Sequence, residues 1–94
     1  MLASADALLL ALTDAGIGVQ QQVSYPILFR GKSVGEYVPD FIVGETVIVD
    51  TKVIDHITDH ERGQMINYLR ITGLRVGLLI NFKRAKLEWE RIVL

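Results

Sequence analysis

Two aspartates and a lysine near the middle of this 94-residue chain have types and spacing that could do chemistry. Asp50 and Lys52 lie two positions apart in "VIVDTKVI", and Asp40 lies ten positions before Asp50. Side chains alternate between the faces of a β-strand, so Asp50 and Lys52 would share one face. If a hairpin precedes them, Asp40 would lie beside Asp50.

This trio predicts metal-assisted cleavage of a phosphodiester. Two adjacent carboxylates repel each other, and a divalent cation between Asp40 and Asp50 would reverse that repulsion and keep both ionised. Lys52 could then orient or help to deprotonate the attacking water and balance charge on the pentavalent phosphorus. The alternative is a structural ion pair between Asp50 and Lys52 on a sheet surface. The strand reads as buried on both sides, where desolvation makes an ion pair a poor source of stability, so we favour a site.

Composition restricts the class of protein. The chain is 50% hydrophobic and 22% charged with a net charge of −1, which is typical of one compact domain covering residues 1–94. It contains no cysteine, which excludes disulfides, thiol redox chemistry and thiolate-bound zinc and is compatible with a cytoplasmic location. No apolar run reaches the roughly 18 to 20 residues of a membrane-spanning helix, so we expect no membrane partner.

Periodicity and turn signals predict the elements that must position the trio. Helices are predicted over residues 4–15 and 58–71, and strands over residues 19–29, 34–43, 46–54, 76–82 and 87–93. Thr58 and Glu61 form a capping-box pattern at the start of the second helix, and Gly73 follows its end. That helix is long enough to connect parallel strands. The fold class is therefore α/β, with a mixed central sheet flanked by helices.

The trio also carries a family resemblance. Pro39-Asp40, nine intervening residues and then Asp50-Thr51-Lys52 resemble the PD-(D/E)xK signature of restriction-endonuclease-like nucleases. The wider pattern "GEYVPDFIV...VIVDTKVID...HERGQMINYLRITGLRVGLLINF" is similar to the GxxExxY group of that superfamily. The resemblance implies a restriction-endonuclease-like core, Mg²⁺ or Mn²⁺ at Asp40 and Asp50, and a deoxyribonuclease activity on DNA.

The second predicted helix carries candidate substrate-binding residues. His60, Gln64 and Tyr68 lie four positions apart and form one stripe beside the apolar residues Met65 and Leu69. Gln64 and Tyr68 resemble the QxxxY element of RecB-type nucleases, which implies contact with the site and the DNA backbone. The alternative is that Gln64 faces water and Tyr68 packs its ring in the core.

The remaining polar and aromatic candidates have simpler interpretations. Lys83, Arg84 and Lys86 could contact phosphates, or they could be solvated turn residues. Trp89 is expected to anchor the core. His60 could be a solvated residue at the start of the second helix, and His56 lies in the preceding loop, so we expect neither to form a metal-binding pair with the strand residues.

The chain departs from the GxxExxY group at its N-terminus. In that group, a glycine-rich start is followed by a Glu three residues on and by a Tyr three residues after the Glu. This chain has no counterpart of that motif, and Asp6 is not a secure substitute for the Glu. We therefore expect an N-terminally shortened domain whose site retains Asp40, Asp50 and Lys52. Two alternatives follow: a catalytically degenerate module that binds nucleic acid or a protein partner, and a structural domain that forms a homodimer.

Overall fold

The computed structural model describes residues 5–94, which form two helices and seven strands. Residue 4 of the first predicted helix lies outside that range. The helices are α1 (Ala5–Asp14) and α2 (Asp59–Thr72), and the strands are β1 (Val19–Gln20), β2 (Tyr25–Phe29), β3 (Lys32–Tyr37), β4 (Phe41–Val43), β5 (Val47–Lys52), β6 (Val76–Asn81) and β7 (Glu88–Val93). Neither helix within residues 5–94 is both long enough and apolar enough to cross a membrane.

Five of these strands form a mixed sheet in the order β1-β4-β5-β6-β7. The β5–β6 pair is parallel, and α2 makes the crossover between them. The other three pairs of this sheet are antiparallel. The predicted α/β class, with a mixed sheet and flanking helices, is confirmed.

The first two predicted strands are each divided in the structure. The break in residues 19–29 includes Gln22, whose φ of 59° is incompatible with an extended strand. The break in residues 34–43 includes Pro39, which has no N–H to donate to a sheet. As a result, β2 and β3 form a separate two-stranded hairpin. Its two-residue turn, Arg30 and Gly31, has positive φ at both positions, as the right-handed twist of a hairpin favours.

Helix α2 has the ends that were predicted for it. The Thr58 hydroxyl accepts a hydrogen bond from the His60 amide, and the Glu61 carboxylate accepts one from the Thr58 amide at 2.8 Å. At the other end, Gly73 adopts a left-handed φ of 76° and its amide donates to the Leu69 carbonyl. Both ends are therefore capped by local residues.

The core lies between α2 and one face of the five-stranded sheet. Its buried residues are Ile42, Ile48, Ile57, Met65, Leu69 and Leu79. Met65 lies so close to Gly77 of β6 that a Cβ at position 77 would overlap its side chain. The absence of a side chain at Gly77 thus lets α2 pack against the sheet.

Trp89 is not the core anchor that was expected. It pairs with Ile80 across the β6–β7 ladder, on the sheet face opposite α2, and 64% of its surface is exposed. Ile92, on the α2 side of the same strand, packs against the core instead. The prediction failed because alternation assigns residues to two faces without telling which face is covered.

Candidate functional site

Asp40 and Asp50 meet at one end of the β4–β5 hairpin. Phe41 pairs with Val49, so continuing this antiparallel register by one position sets Asp40 opposite Asp50. Asp40 Oδ2 accepts hydrogen bonds from both the amide and the hydroxyl of Thr51, each at 2.8 Å. The hairpin therefore brings the two aspartates together as the sequence predicted.

Lys52 lies beside Asp50 on the same strand face. Its Nζ is 3.2 Å from Asp50 Oδ2, and the two side chains are 22% and 14% exposed, respectively. The expectation that β5 is buried along its length is wrong at this end: Ile48 and Val49 are buried, whereas residues 50–52 are half-buried. The ion pair proposed as the alternative is thus present, but at an end of the strand that a ligand can approach.

The electrostatics at Asp50 favour a nearby cation. Burial raises the pKa of the Asp50 carboxyl, the charge of Lys52 opposes that rise, and the neighbouring Asp40 carboxylate adds to it. The negative form of Asp50 is therefore disfavoured despite its ion pair with Lys52. A divalent cation between the two carboxylates would stabilise both charges.

The donor set fits Mg²⁺ or Mn²⁺. Carboxylate oxygens are preferred ligands of these hard cations, and Mg²⁺ is commonly held by one or two carboxylates together with water and substrate phosphates. Within residues 5–94, no group of three or more His, Cys, Asp or Glu side chains forms a metal-binding cluster. Asp40 and Asp50 would hold the cation as a pair.

Of the two predicted substrate-binding residues, Tyr68 packs against the core, as the structural alternative expected. Its ring stacks on Tyr37 with centroids 4.0 Å apart and an interplanar angle of 11°. Burial raises the pKa of Tyr37, and the charge of Asp50 is the next largest cause. Gln64, one turn before Tyr68, is half-buried and makes no side-chain hydrogen bond within residues 5–94. His60, on the same stripe, is exposed.

Tyr37 is a residue that the sequence analysis did not select. It ends β3, three positions before Asp40, inside the same "EYVPD" stretch that carries the motif. Its ring packs against the core, and its hydroxyl oxygen is buried. The available signal was its proximity to Asp40 in sequence, although β-strand alternation did not show that its ring would meet α2.

Asn81 was also missed, and it organises the segment that follows Lys52. Its buried side chain accepts a hydrogen bond from the Ile54 amide and donates to both the Ile54 carbonyl and Glu88 Oε1. The hydrogen bond from Asn81 lowers the pKa of Glu88. A buried polar residue at the end of an apolar strand was the signal that could have found it.

The basic residues of the turn between β6 and β7 mostly form contacts within the protein. Lys83 forms an ion pair with the Asp55 carboxylate and lowers its pKa, and Arg84 donates to the Asp55 carbonyl. Lys86 is exposed and makes no such contact within residues 5–94. Two of the three basic residues thus hold the segment between β5 and α2 instead of forming a free phosphate-binding cluster.

The candidate site lies outside two surface clefts that lie near the C-terminal half of α2. These clefts have volumes of about 330 and 350 Å³, and both are lined by Arg70. Neither is lined by Asp40, Asp50, Lys52 or Tyr68.

Comparison with known proteins supports this fold and this motif. A crystal structure of a protein named SSO0001 matches with a TM-score of 0.70 and 17% sequence identity, over 95% of this chain and 47% of that one. This chain thus spans about half the length of SSO0001. No curated protein sequence matches significantly. The family model of the PD-(D/E)XK nuclease superfamily matches residues 3–92, a range that contains Asp40, Asp50 and Lys52. The chain therefore belongs to the PD-(D/E)XK nuclease superfamily.

Proposed function

We propose that this domain is a Mg²⁺- or Mn²⁺-dependent nuclease that hydrolyses phosphodiester bonds of DNA. The observation that carries the proposal is the meeting of Asp40 and Asp50 on adjacent strands, with Lys52 Nζ 3.2 Å from Asp50. Membership of a nuclease superfamily supports it. We also propose, from the sequence pattern, that the domain belongs to the GxxExxY group, and we propose a cytoplasmic location, with which a chain without cysteine is compatible.

Each member of the trio has a separate task. A cation at Asp40 and Asp50 would polarise the scissile phosphate and lower the pKa of a water molecule. The two carboxylates bind that cation, and the hydrogen bonds from Thr51 keep the Asp40 carboxylate in place. Lys52 Nζ donates hydrogen bonds toward the attacking water and compensates negative charge that develops on the phosphate.

Gln64 and Tyr68 position the substrate in this proposal. The amide of Gln64 has donors and an acceptor that no protein group uses within residues 5–94. Tyr68 lies one turn further along α2 and stacks on Tyr37. Both residues would contact the DNA backbone beside the scissile bond.

The first test is calorimetric titration of Mn²⁺ into the wild type, Asp40→Asn and Asp50→Asn. We expect binding by the wild type and no measurable binding by either variant, because each variant loses one of two carboxylate ligands. Asp55→Asn is the matched control, since Asp55 is an exposed aspartate that pairs with Lys83. Its Mn²⁺ affinity should equal that of the wild type; loss of affinity in this control as well would show that the binding is not specific to the site.

The second test separates metal binding from catalysis. Lys52→Ala should still bind Mn²⁺ at pH 8, but its rate of DNA cleavage should fall by about 100-fold or more, as expected when a group that assists proton transfer is removed. Cleavage at the wild-type rate by Lys52→Ala would contradict the role given to Lys52.

A second candidate is a degenerate nuclease-fold module that binds nucleic acid or a protein, or pairs with a second copy, without turnover. It is favoured by one observation: no third carboxylate or histidine joins Asp40 and Asp50 within residues 5–94. This candidate predicts DNA or partner binding that neither Mn²⁺ nor Lys52→Ala alters.

A further inference from the structure

The hydroxyl of Tyr37 is a buried donor without an acceptor. Its oxygen is inaccessible to solvent and forms no hydrogen bond with any group within residues 5–94. Other buried side-chain nitrogen and oxygen atoms in that part of the chain have partners, including those of Asn81. Buried polar groups are nearly always hydrogen-bonded in native proteins, so an unpaired hydroxyl at this position calls for a functional explanation.

Tyr37 lies on the same side of the sheet as Asp50. Ile48 and Asp50 share one face of β5, because they are two positions apart in a strand. The core cluster that contains Ile48 is the one against which Tyr37 and Tyr68 pack. Burial raises the pKa of Tyr37, and among the charges that add to this rise Asp50 ranks before Asp40. The phenol therefore keeps its proton, and it lies on the same side of the sheet as the Asp50 carboxylate.

A stacked ring holds the ring of Tyr37, and strand pairing holds its backbone. Tyr68 of α2 stacks on one face at a centroid distance of 4.0 Å. Tyr25 pairs with Tyr37 across the β2–β3 hairpin. With its ring fixed in this way, Tyr37 cannot turn its hydroxyl to solvent without breaking the stack. The donor is thus preorganised on the side of the sheet that carries Asp50.

We propose that Tyr37 is a positioning residue whose hydroxyl donates a hydrogen bond to the Asp50 carboxylate when that carboxylate holds a divalent cation. This inference rests on the proposed function. In the metal-free protein Asp50 Oδ2 is directed to Lys52 instead, at 3.2 Å. Carboxylates that bind metals are themselves oriented by hydrogen bonds, and the loss of such a partner typically weakens metal binding by about 10- to 100-fold.

Tyr37→Phe tests this inference because it removes the hydroxyl and keeps the stacked ring. Mn²⁺ affinity is measured by calorimetric titration, and Tm is measured by thermal unfolding in EDTA. We expect the Kd for Mn²⁺ to rise about 10- to 100-fold, while the metal-free Tm stays the same or rises, because the variant buries no unpaired hydroxyl. Tyr25→Phe is the matched control, and it should keep the wild-type Kd for Mn²⁺.

The outcomes separate this inference from the proposed function. A weaker Mn²⁺ affinity in Tyr37→Phe, without a lower metal-free Tm, supports the positioning role, since a purely structural tyrosine would not lower affinity alone. An unchanged Kd, or a Kd that rises only together with a fall in metal-free Tm, overturns the positioning role and leaves the metal site intact. Absence of Mn²⁺ binding by the wild type overturns both.

Discussion

Asp50 is a residue whose environment in the folded protein disfavours its negative charge. Its side chain is 14% exposed, and burial raises its pKa although Lys52 lies 3.2 Å away. Asp55, five positions further on, is an exposed aspartate whose pKa is lowered by its hydrogen bond to Lys83. Two aspartates in one short segment therefore have opposite effects on the pH dependence of stability.

We predict that Asp50→Asn and Asp55→Asn respond to pH in opposite directions. A carboxyl with a raised pKa in the folded state stabilises the protein fully below its unfolded pKa and loses that contribution as the pH rises through the folded pKa. The metal-free Tm of Asp50→Asn relative to wild type should therefore increase from about pH 4 to pH 7. The pKa of Asp55 is lowered, so its carboxylate stabilises the wild type more as the pH rises. The Tm of Asp55→Asn relative to wild type should therefore decrease as the pH rises through the acidic range.

Thermal melts in EDTA at a series of pH values measure both effects. Because each variant makes the same Asp→Asn change, general effects of the substitution cancel in the comparison. Parallel pH profiles for the two variants would contradict the opposite pKa shifts.

At the scale of elements, α2 packs against the sheet through a close approach at one residue of β6. Met65 is fully buried and lies over Gly77, where a methyl group would overlap the Met65 side chain. The helix carries Gln64 and Tyr68, so its position relative to β5 determines how these side chains meet Asp50. The packing of Met65 therefore contributes to the geometry of the candidate site.

We predict that Gly77→Ala lowers the free energy of unfolding by about 1 to 3 kcal/mol, because the added methyl overpacks a filled core. Gly63→Ala is the matched control: Gly63 lies in α2 with open space where a Cβ would be placed. This control should raise the free energy of unfolding by about 1 kcal/mol through helix propensity. Urea unfolding of the wild type and the two variants gives both values. A free energy of unfolding in Gly77→Ala equal to that of the wild type would show that Met65 moves aside at no cost.

At the scale of the whole molecule, one core connects the elements that surround the site. The cluster of Ile48, Met65 and Leu79 joins β5, α2 and β6, and Tyr25 and Tyr37 attach the separate hairpin to it. Because the candidate ligands Asp40 and Asp50 meet only in this folded arrangement, a cation that binds them should stabilise the whole fold.

We predict that Mn²⁺ raises the Tm of the wild type and that EDTA reverses the effect. At a free Mn²⁺ concentration of 100 times Kd, the stabilisation should be about 2.7 kcal/mol, which corresponds to roughly 10 to 20 °C in a domain of this size. Asp50→Asn is the control and should show no rise. An equal rise in wild type and Asp50→Asn would place the stabilising cation elsewhere.

Much of this molecule was predictable from local patterns. The ends of α2 depend on Thr58, Glu61 and Gly73, which are near neighbours of the turns they cap. The juxtaposition of Asp40 and Asp50 depends on a short turn and on a period of two, both of which can be recognised in sequence. Membership of the PD-(D/E)XK nuclease superfamily was predicted from the same residues and is confirmed, whereas the narrower GxxExxY assignment stays a prediction.

The sequence by itself thus determined which side chains share a strand face, where the capped helix begins and ends, and that Asp40 meets Asp50. These properties depend on neighbours along the chain. Only the tertiary structure decided that Trp89 is exposed, that Lys83 is engaged by Asp55, and that Tyr37 stacks on Tyr68 with its hydroxyl unpaired. The elements that cover a sheet face and the partners of a side chain come from segments distant in sequence. The periodicity of one segment does not tell which other segments those are.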